Sequence, residues 1–322
     1  MYGKHFLSVL VLVLLSNMAM PQAIDNALSF KNINRDRYIR FNYENDVFSG
    51  SDIYYTQGMH LELAAPWVKR FPISRLLYKP DFSYVRYAIS AEHNGYTPTS
   101  ISDETILYGD RPFSACLFLK TAVYAVDPIK RRRWSTSISS GVMGQAAGGE
   151  EMQVGIHRAL NNITPHGWGN QLHNDVILNY QADYEHQLIR VNRALSIDID
   201  GMARLGTLSD KISAGGTIMA GYFDDPFSGN VASGRNFRIY AYEHPEVALV
   251  GYDATLQGGL FNRSSPYTIS SNDITRVTFQ NRFGFVVIWQ GFYLEYFQSF
   301  ESCEFKTGDY HVWGGVQLAC AL

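Results

Sequence analysis

One short stretch combines two side chains that could act together in hydrolysis. Gln153 and His157 both lie in Gly149-Glu-Glu-Met-Gln-Val-Gly-Ile-His157, whose composition favours a helix over a strand. In a helix the two residues are i and i+4, so their side chains share one face. A histidine can take a proton from water near neutral pH. This stretch therefore supplies a candidate general base.

Oxygen-bearing side chains stand earlier in the chain. Asn45 and Asp46 begin a connection between two predicted strands, and Thr56 lies in the strand-start sequence Tyr54-Tyr-Thr-Gln-Gly58. Carboxylate and amide oxygens are hard ligands of the kind that calcium prefers. Each residue also has an ordinary interpretation, as a solvated turn residue or a β-forming threonine. Position alone does not choose His157 over His93, His166 and His173, which also lie in or beside predicted loops.

The segments that must position these residues have apolar side chains at every second position. Leu195, Ile197 and Ile199 alternate with polar residues, as expected of a strand with one apolar face. Such stretches occur at 37–45, 53–64, 83–92, 113–126, 132–143, 175–187, 194–204, 209–222, 236–257, 276–287, 290–301 and 309–322.

The length of these stretches favours strands that cross a membrane. Most are about ten residues or longer, whereas globular strands average about 5–6 and tilted membrane strands need about 9–11. The pattern predicts an all-β fold, a transmembrane antiparallel β-barrel of about 12 strands. A soluble β-sandwich or propeller fits less well, because the strands are long and no fixed-period repeat occurs. With both barrel ends in the periplasm, the connections at 45–52, 93–112 and 144–174 share the outward rim, so we expect a short helix in an outward-facing loop.

Composition agrees with an exported membrane protein. The chain has 322 residues, 46% hydrophobic and 14% aromatic, with 18% charged residues and a net charge of −3. This charge disfavours a nucleic-acid partner. The apolar run Phe6 to Leu15 is about half the ~20 residues of a spanning helix, so it predicts a signal peptide at 1–23. Residues 24–322 would then form one barrel domain in the outer membrane, expected to be a monomer, and the three cysteines do not indicate a disulfide framework.

Familiar hydrolase signatures are absent from the sequence. It contains no Gly-x-Ser-x-Gly elbow, no His-Glu-x-x-His zinc helix and no Gly-x-x-x-x-Gly-Lys loop. A serine esterase of the usual kind is therefore disfavoured. A water nucleophile activated by histidine, with a bound cation stabilising the oxyanion, stays compatible.

Five ordered blocks resemble the outer-membrane lipid A 3′-O-deacylases of the LpxR type. The blocks are Glu44-Asn-Asp46, Tyr54-Tyr-Thr-Gln-Gly58, Gly109-Asp-Arg-Pro-Phe-Ser-Ala115, Ala147-Gly-Gly-Glu-Glu-Met-Gln-Val-Gly-Ile-His157-Arg and Gly167-Trp-Gly-Asn-Gln-Leu-His173-Asn. The resemblance runs in order over about 40–180 and continues to the end as a barrel pattern.

This resemblance implies a twelve-stranded barrel that uses Ca²⁺ to hydrolyse the ester holding the 3′-linked acyloxyacyl chain of lipid A. Asn45 and Asp46 would match the calcium pair, Thr56 the hydroxyl of the site, and His157 the residue that activates water. Gln153 would match a site glutamine. The expected partners are then lipid A, or lipopolysaccharide, and the outer membrane.

Two departures and two alternatives accompany the resemblance. Ser102-Asp103-Glu104 stands where some members carry a lysine, which bears on head-group preference, and an acidic residue found after the histidine in some members is missing, although Glu150 or Glu151 could serve. One alternative is an outer-membrane phospholipase with a serine nucleophile, for which the rim candidates are Ser49, Ser51 and Ser114. The other is a non-catalytic barrel for transport or lipopolysaccharide binding.

Overall fold

The computed structural model of the protein describes residues 36–50, 53–229 and 237–322. The predicted signal peptide, residues 1–23, and Ser51 lie outside these ranges. No helix within them is long and apolar enough to cross a membrane.

Twelve antiparallel strands close into a barrel, in which each strand pairs with its neighbours in sequence and the first pairs with the last. The predicted fold class is confirmed. The strands are β1 (Tyr38–Asn45), β2 (Tyr54–Ala64), β3 (Tyr84–Thr97), β4 (Ser114–Asp127), β5 (Arg132–Met143), β6 (Asp175–Val191), β7 (Leu195–Gly206), β8 (Ser209–Tyr222), β9 (Phe237–Asp253), β10 (Val277–Trp289), β11 (Phe292–Glu301) and β12 (His311–Ala321).

The two faces of the barrel wall have opposite chemistry. On β1, Ile39 and Phe41 are exposed on the outer face, whereas Arg40, Asn42 and Glu44 are buried inside. An apolar exterior around a polar interior is the arrangement of a barrel whose solvent is lipid.

Buried ion pairs fill the lumen. Arg40 pairs with Glu62 at 3.1 Å, Arg282 with Glu44 at 3.4 Å, and Arg111 with Glu304. These side chains are almost fully enclosed, so each charge depends on its partner. The interior is therefore a packed polar core.

The two rims differ in the length of their connections. On one rim β4–β5, β6–β7 and β10–β11 are joined by the tight turns 128–131, 192–194 and 290–291, and the segment 65–83 between β2 and β3 is the longer exception there. The opposite rim carries the longer loops 98–113, 144–174 and 254–276. Short periplasmic turns and longer extracellular loops are the rule in such barrels, so the long loops mark the outward rim.

The longest outward loop contains the predicted helix, α1 (Gly149–Ala159). A single helical turn, α2 (Ala254–Gln257), follows β9. The predicted strand 236–257 therefore ends earlier, at Asp253, because the Asp253 side chain accepts a hydrogen bond from the Thr255 backbone N–H at 2.8 Å and begins the turn.

Candidate active site

Helix α1 packs against the outer face of the barrel wall. A Cβ on Gly149 would lie 2.5 Å from the Cβ of Ala115 and 2.7 Å from the Trp168 ring, so only glycine fits there. Ala115 has the same parity on β4 as Leu117 and Leu119, which are exposed on the membrane side. The helix thus begins in close contact with the exterior of the wall.

A small apolar cluster holds the helix in place. Trp168 is buried and packs on Phe113 at a ring-centroid distance of 5.0 Å. Ile101, Ala115 and Ala147 complete this cluster. Residues from three separate outward segments therefore converge beneath α1.

Gln153 joins the helix to the wall. Its Nε2 donates to Thr56 Oγ1 at 3.3 Å, and its Oε1 accepts a hydrogen bond from the indole Nε1–H of Trp168 at 2.7 Å. Because the indole only donates, it fixes which end of the Gln153 amide faces Thr56. The structure thereby brings the predicted site residues Gln153 and Thr56 together. Trp168 also belongs to this hydrogen-bonded group, and the sequence analysis did not single it out.

Thr56 lies at an irregularity in the wall. Tyr55 pairs with Tyr96 and Gln57 pairs with Gly95, so Thr56 has no partner residue on β3. Such a bulge redirects a side chain, and bulges are common beside active sites. It places the buried Thr56 hydroxyl under α1.

His157 lies one turn beyond Gln153 on α1, and both side chains are buried as the i and i+4 spacing predicts. Its Nδ1 is 2.6 Å from the backbone carbonyl oxygen of Ile163. A carbonyl can only accept, so Nδ1 carries a proton, and Nε2 is the basic nitrogen of the neutral ring. The chain reaches this position by turning at Asn161, whose φ of 54° is left-handed.

The group that orients the His157 ring is therefore a backbone carbonyl, that of Ile163. Glu150 and Glu151 are both exposed, in the first turn of α1. A sequence motif could not have predicted this contact, because every residue has a carbonyl and the turn after the helix decides which one reaches His157.

Asn45 and Asp46 form the junction between β1 and the following turn, which is a 3₁₀ segment at Asp46–Ser49. The Asn45 side-chain oxygen accepts from the Val47 backbone N–H at 2.8 Å, and its Nδ2 donates to the Tyr43 hydroxyl at 3.2 Å. Asp46 is buried, and its Oδ2 accepts from the Ile53 backbone N–H at 2.5 Å. The two residues thus shape the loop next to the β2 strand that carries Thr56.

The oxygen atoms at this junction are of the type that calcium binds, but there are few of them. The side chains at the junction offer one carboxylate and one amide oxygen, and Thr56 adds a hydroxyl. Among residues 36–50, 53–229 and 237–322, the one group of three His, Cys, Asp or Glu side chains close enough to share an ion is Asp200, His244 and Glu246, on β7 and β9. A calcium ion at Asp46 would need further oxygens, from backbone carbonyls or substrate.

The other candidate histidines occupy different environments. His93 is buried, and its Nε2 lies 3.0 Å from the Ala147 carbonyl, where it holds the turn that precedes α1. His166 is exposed. His173 Nδ1 lies 2.9 Å from Ser264 Oγ on the exposed rim, and that serine also donates to Asn262 Oδ1 at 2.7 Å.

The serines proposed as alternative nucleophiles are engaged by the backbone. Ser49 Oγ donates to the Asp46 carbonyl at 2.7 Å, and Ser114 Oγ donates to the Thr255 carbonyl at 3.3 Å. Both hydroxyls are thus used as donors to backbone carbonyls.

The acidic segment Ser102-Asp103-Glu104 is exposed on the outward rim. It lies against the turn that carries Trp168, since Asn170 Nδ2 donates to the Glu104 carbonyl at 2.8 Å. Lys120 does not compensate for it, because its Nζ pairs with Glu92 at 2.8 Å on the lumen side.

Comparison with known proteins identifies the family of the chain. The family model described as "Outer membrane protein LpxR" matches residues 6–322. The chain belongs to this LpxR family. The protein is accordingly a β-barrel of the outer membrane, as predicted.

The solved structure of LpxR from Salmonella typhimurium shows the same fold. LpxR from Salmonella typhimurium aligns with a TM-score of 0.73 at 18% identity, over 88% of this chain and 100% of that one. An outer membrane channel from Pseudomonas putida F1 aligns with a TM-score of 0.47 at 10% identity, over 92% of this chain and 99% of that one. No curated protein matches the chain.

Proposed function

We propose that this LpxR-family protein is a calcium-dependent lipid A 3′-O-deacylase. The observation that carries the proposal is the hydrogen bond between Gln153 and Thr56, which fixes α1 to the outer face of the wall with His157 one turn away. A site in that position opens toward the membrane that holds a lipid substrate. The proposed reaction releases the acyloxyacyl group as a carboxylic acid and leaves a hydroxyl on the sugar.

His157 would act first as base and then as acid. Nε2 takes a proton from water while the water oxygen bonds to the ester carbonyl carbon, and the carbonyl π electrons move to oxygen. When the tetrahedral intermediate collapses, the C–O bond to the sugar breaks, and the imidazolium returns the proton to the departing oxygen. The Ile163 carbonyl supports both steps, because its hydrogen bond from Nδ1–H keeps the ring in one tautomer.

Thr56 is suited to stabilise the oxyanion or to position substrate. Gln153 donates to Thr56 Oγ1, so the threonine's own O–H is directed to a different acceptor. We assign Asn45 and Asp46 to the calcium site, where the ion would add positive charge beside the developing oxyanion. Asp46 would contribute a single carboxylate, so substrate oxygens would have to complete the site.

Mass spectrometry of lipid A tests the proposal directly. Cells expressing the protein should lose one acyloxyacyl unit when calcium is present, and cells expressing His157→Ala should not. His166→Ala is the matched control, because His166 is an exposed histidine on the same rim. Heat-modifiable migration would verify that each barrel is folded.

Three outcomes would count against the proposal. Unchanged lipid A beside a folded wild-type barrel would refute the activity, and an active His157→Ala variant would refute the base. Inactivation by a serine-directed reagent would favour the phospholipase, for which Ser49, Ser51 and Ser114 are the residues to replace.

A further inference from the structure

The segment 65–83, which joins β2 to β3 on the rim of short turns, packs against the outer face of the barrel wall. Its side chains Val68 and Leu77 are buried in one apolar cluster with Val123 of β4. Val123 has the same parity on β4 as Leu119, which is exposed on the membrane side. Since Val123 is completely buried, the segment covers this part of the wall from outside.

Hydrogen bonds to the wall hold the segment in this position. The Tyr78 backbone N–H donates to the hydroxyl of Tyr180 on β6 at 2.9 Å, and the Tyr78 carbonyl accepts from the hydroxyl of Thr136 on β5 at 2.8 Å. Trp67, Leu76 and Tyr78 stay exposed on the segment. Because Trp and Tyr are enriched where a membrane protein meets the lipid head groups, these side chains agree with a segment that lies at the interface.

A cavity of about 260 Å³ is lined both by this segment and by the outer face of β3. From the segment come Pro66, Lys69 and Lys79, and from β3 come Val85 and Tyr87. The two β3 residues share their parity with the exposed Ala91, so they belong to the membrane side of the wall. The cavity therefore lies outside the barrel, where the segment meets the lipid-facing surface.

The cavity carries more positive than negative charge. Lys69 and Lys79 form no ion pair with any residue among 36–50, 53–229 and 237–322. The other charged residues of the lining are Asp36 and Arg86, and the Arg86 guanidinium stacks on the Tyr38 ring at 5.4 Å. Two ammonium groups are thus available to an anion, with one carboxylate beside them. Lysine binds a phosphate as a point charge.

An apolar surface leads from the cavity along the wall toward the membrane centre. Ile89 follows Tyr87 on the outer face of β3 and pairs with Leu63 of β2. Leu61 is the next outward residue of β2 and is about half exposed. A ligand with a phosphate in the cavity and acyl chains along this surface fits both parts.

We propose that this cavity binds the phosphate of an anionic glycerophospholipid from the membrane leaflet at the short-turn rim. The ammonium groups of Lys69 and Lys79 bind the phosphate, and Leu63 and Ile89 contact an acyl chain. A basic residue near an anionic membrane surface contributes about fivefold in affinity. The site lies on the rim opposite α1, so its occupancy is independent of ester hydrolysis.

Native mass spectrometry of the purified full barrel, titrated with phosphatidylglycerol, measures this binding. We expect Lys69→Gln and Lys79→Gln each to weaken binding about fivefold, and the double variant to weaken it further. Lys130→Gln is the matched control, because Lys130 is an exposed lysine on the same rim and lies outside the cavity. Lys69 is exposed, so its replacement should leave the fold intact, and thermal unfolding checks this.

Two further titrations identify the ligand class. Phosphatidylethanolamine should bind more weakly than phosphatidylglycerol, because its own ammonium group opposes the two lysines, and inorganic phosphate at equal concentration should not displace the lipid. Equal affinities for the wild-type and Lys69→Gln, Lys79→Gln barrels would overturn the proposal, as would an equal loss in Lys130→Gln. Displacement by inorganic phosphate would overturn the lipid assignment, and equal binding of phosphatidylethanolamine would overturn the preference for an anionic lipid.

Discussion

Replacing Trp168 by phenylalanine tests whether its indole orients the Gln153 amide in the proposed active site. The change keeps an aromatic ring against Phe113 but removes the N–H that lies 2.7 Å from Gln153 Oε1. A buried acceptor left without its donor costs about 1–3 kcal/mol. The Gln153 amide can recover part of this by rotating, and it would then present its oxygen to Thr56.

That rotation would reverse the hydrogen bond at Thr56. The threonine O–H would donate to Gln153 and be lost to the substrate, so kcat should fall while KM changes little. If the whole penalty appears in the transition state, the loss is roughly five- to 150-fold. Gln153→Glu should lower kcat similarly, although glutamate has nearly the same shape as glutamine. A carboxylate can only accept hydrogen bonds, so it also forces the Thr56 hydroxyl to donate.

The assay is ester cleavage of lipid A in mixed micelles, with kcat and KM measured separately and thermal unfolding recorded for each variant. Trp134→Phe is the control, since the Trp134 indole nitrogen has no hydrogen-bond partner among residues 36–50, 53–229 and 237–322. If Trp168→Phe keeps kcat within about twofold of the control, the indole does not set the amide orientation and the reasoning fails.

Three further perturbations test the helix, the cation and the lumen. Gly149→Leu should displace α1 and abolish cleavage while the barrel stays heat-modifiable, because no side chain fits at that contact. Asp46→Asn keeps the oxygen that accepts from the loop but removes the charge, so the calcium concentration for half-maximal activity should rise about tenfold, whereas the exposed Asp273→Asn should leave it unchanged. Arg111→Met strands a buried carboxylate and should cost about 3–5 kcal/mol in denaturant unfolding, while Lys306→Met at an exposed pair should cost little.

The wall of the barrel was predictable because strand alternation is a local property. The predicted stretch 132–143 coincides with β5, and 209–222 coincides with β8. Side-chain parity within one strand decides which residues face lipid, and no distant contact is needed to read it. The prediction of a strand at 236–257 was wrong after Asp253, where a helix-capping hydrogen bond replaces the hydrogen bonds between strands.

Parts of the candidate site were equally local. The i and i+4 spacing of Gln153 and His157 was enough to place both on the buried face of α1. Parity also bears on Asn45, which shares the outer face of β1 with Ile39 and Phe41. The alternation in the sequence already carried this information.

The remaining site contacts depend on how loops return to the wall. Trp168 meets Gln153 only because the segment after α1 folds back under the helix, and Ile163 meets His157 through a left-handed turn at Asn161. Neither contact leaves a periodic signal. Thr56 likewise owes its direction to a bulge, which a strand pattern does not reveal.

The position of the site explains how a barrel with a filled lumen could act on a lipid. Ion pairs such as that of Arg40 and Glu62 occupy the interior, where an acyl chain would have to displace paired charges. The proposed machinery lies instead between α1 and the exterior of the wall, on the side where Leu117 and Leu119 face lipid. A membrane-anchored ester can reach that surface by lateral diffusion, with its acyl chains still in hydrocarbon. Such access requires the rim helix to be held against the wall, and the close approach of Gly149 to Ala115 provides that contact.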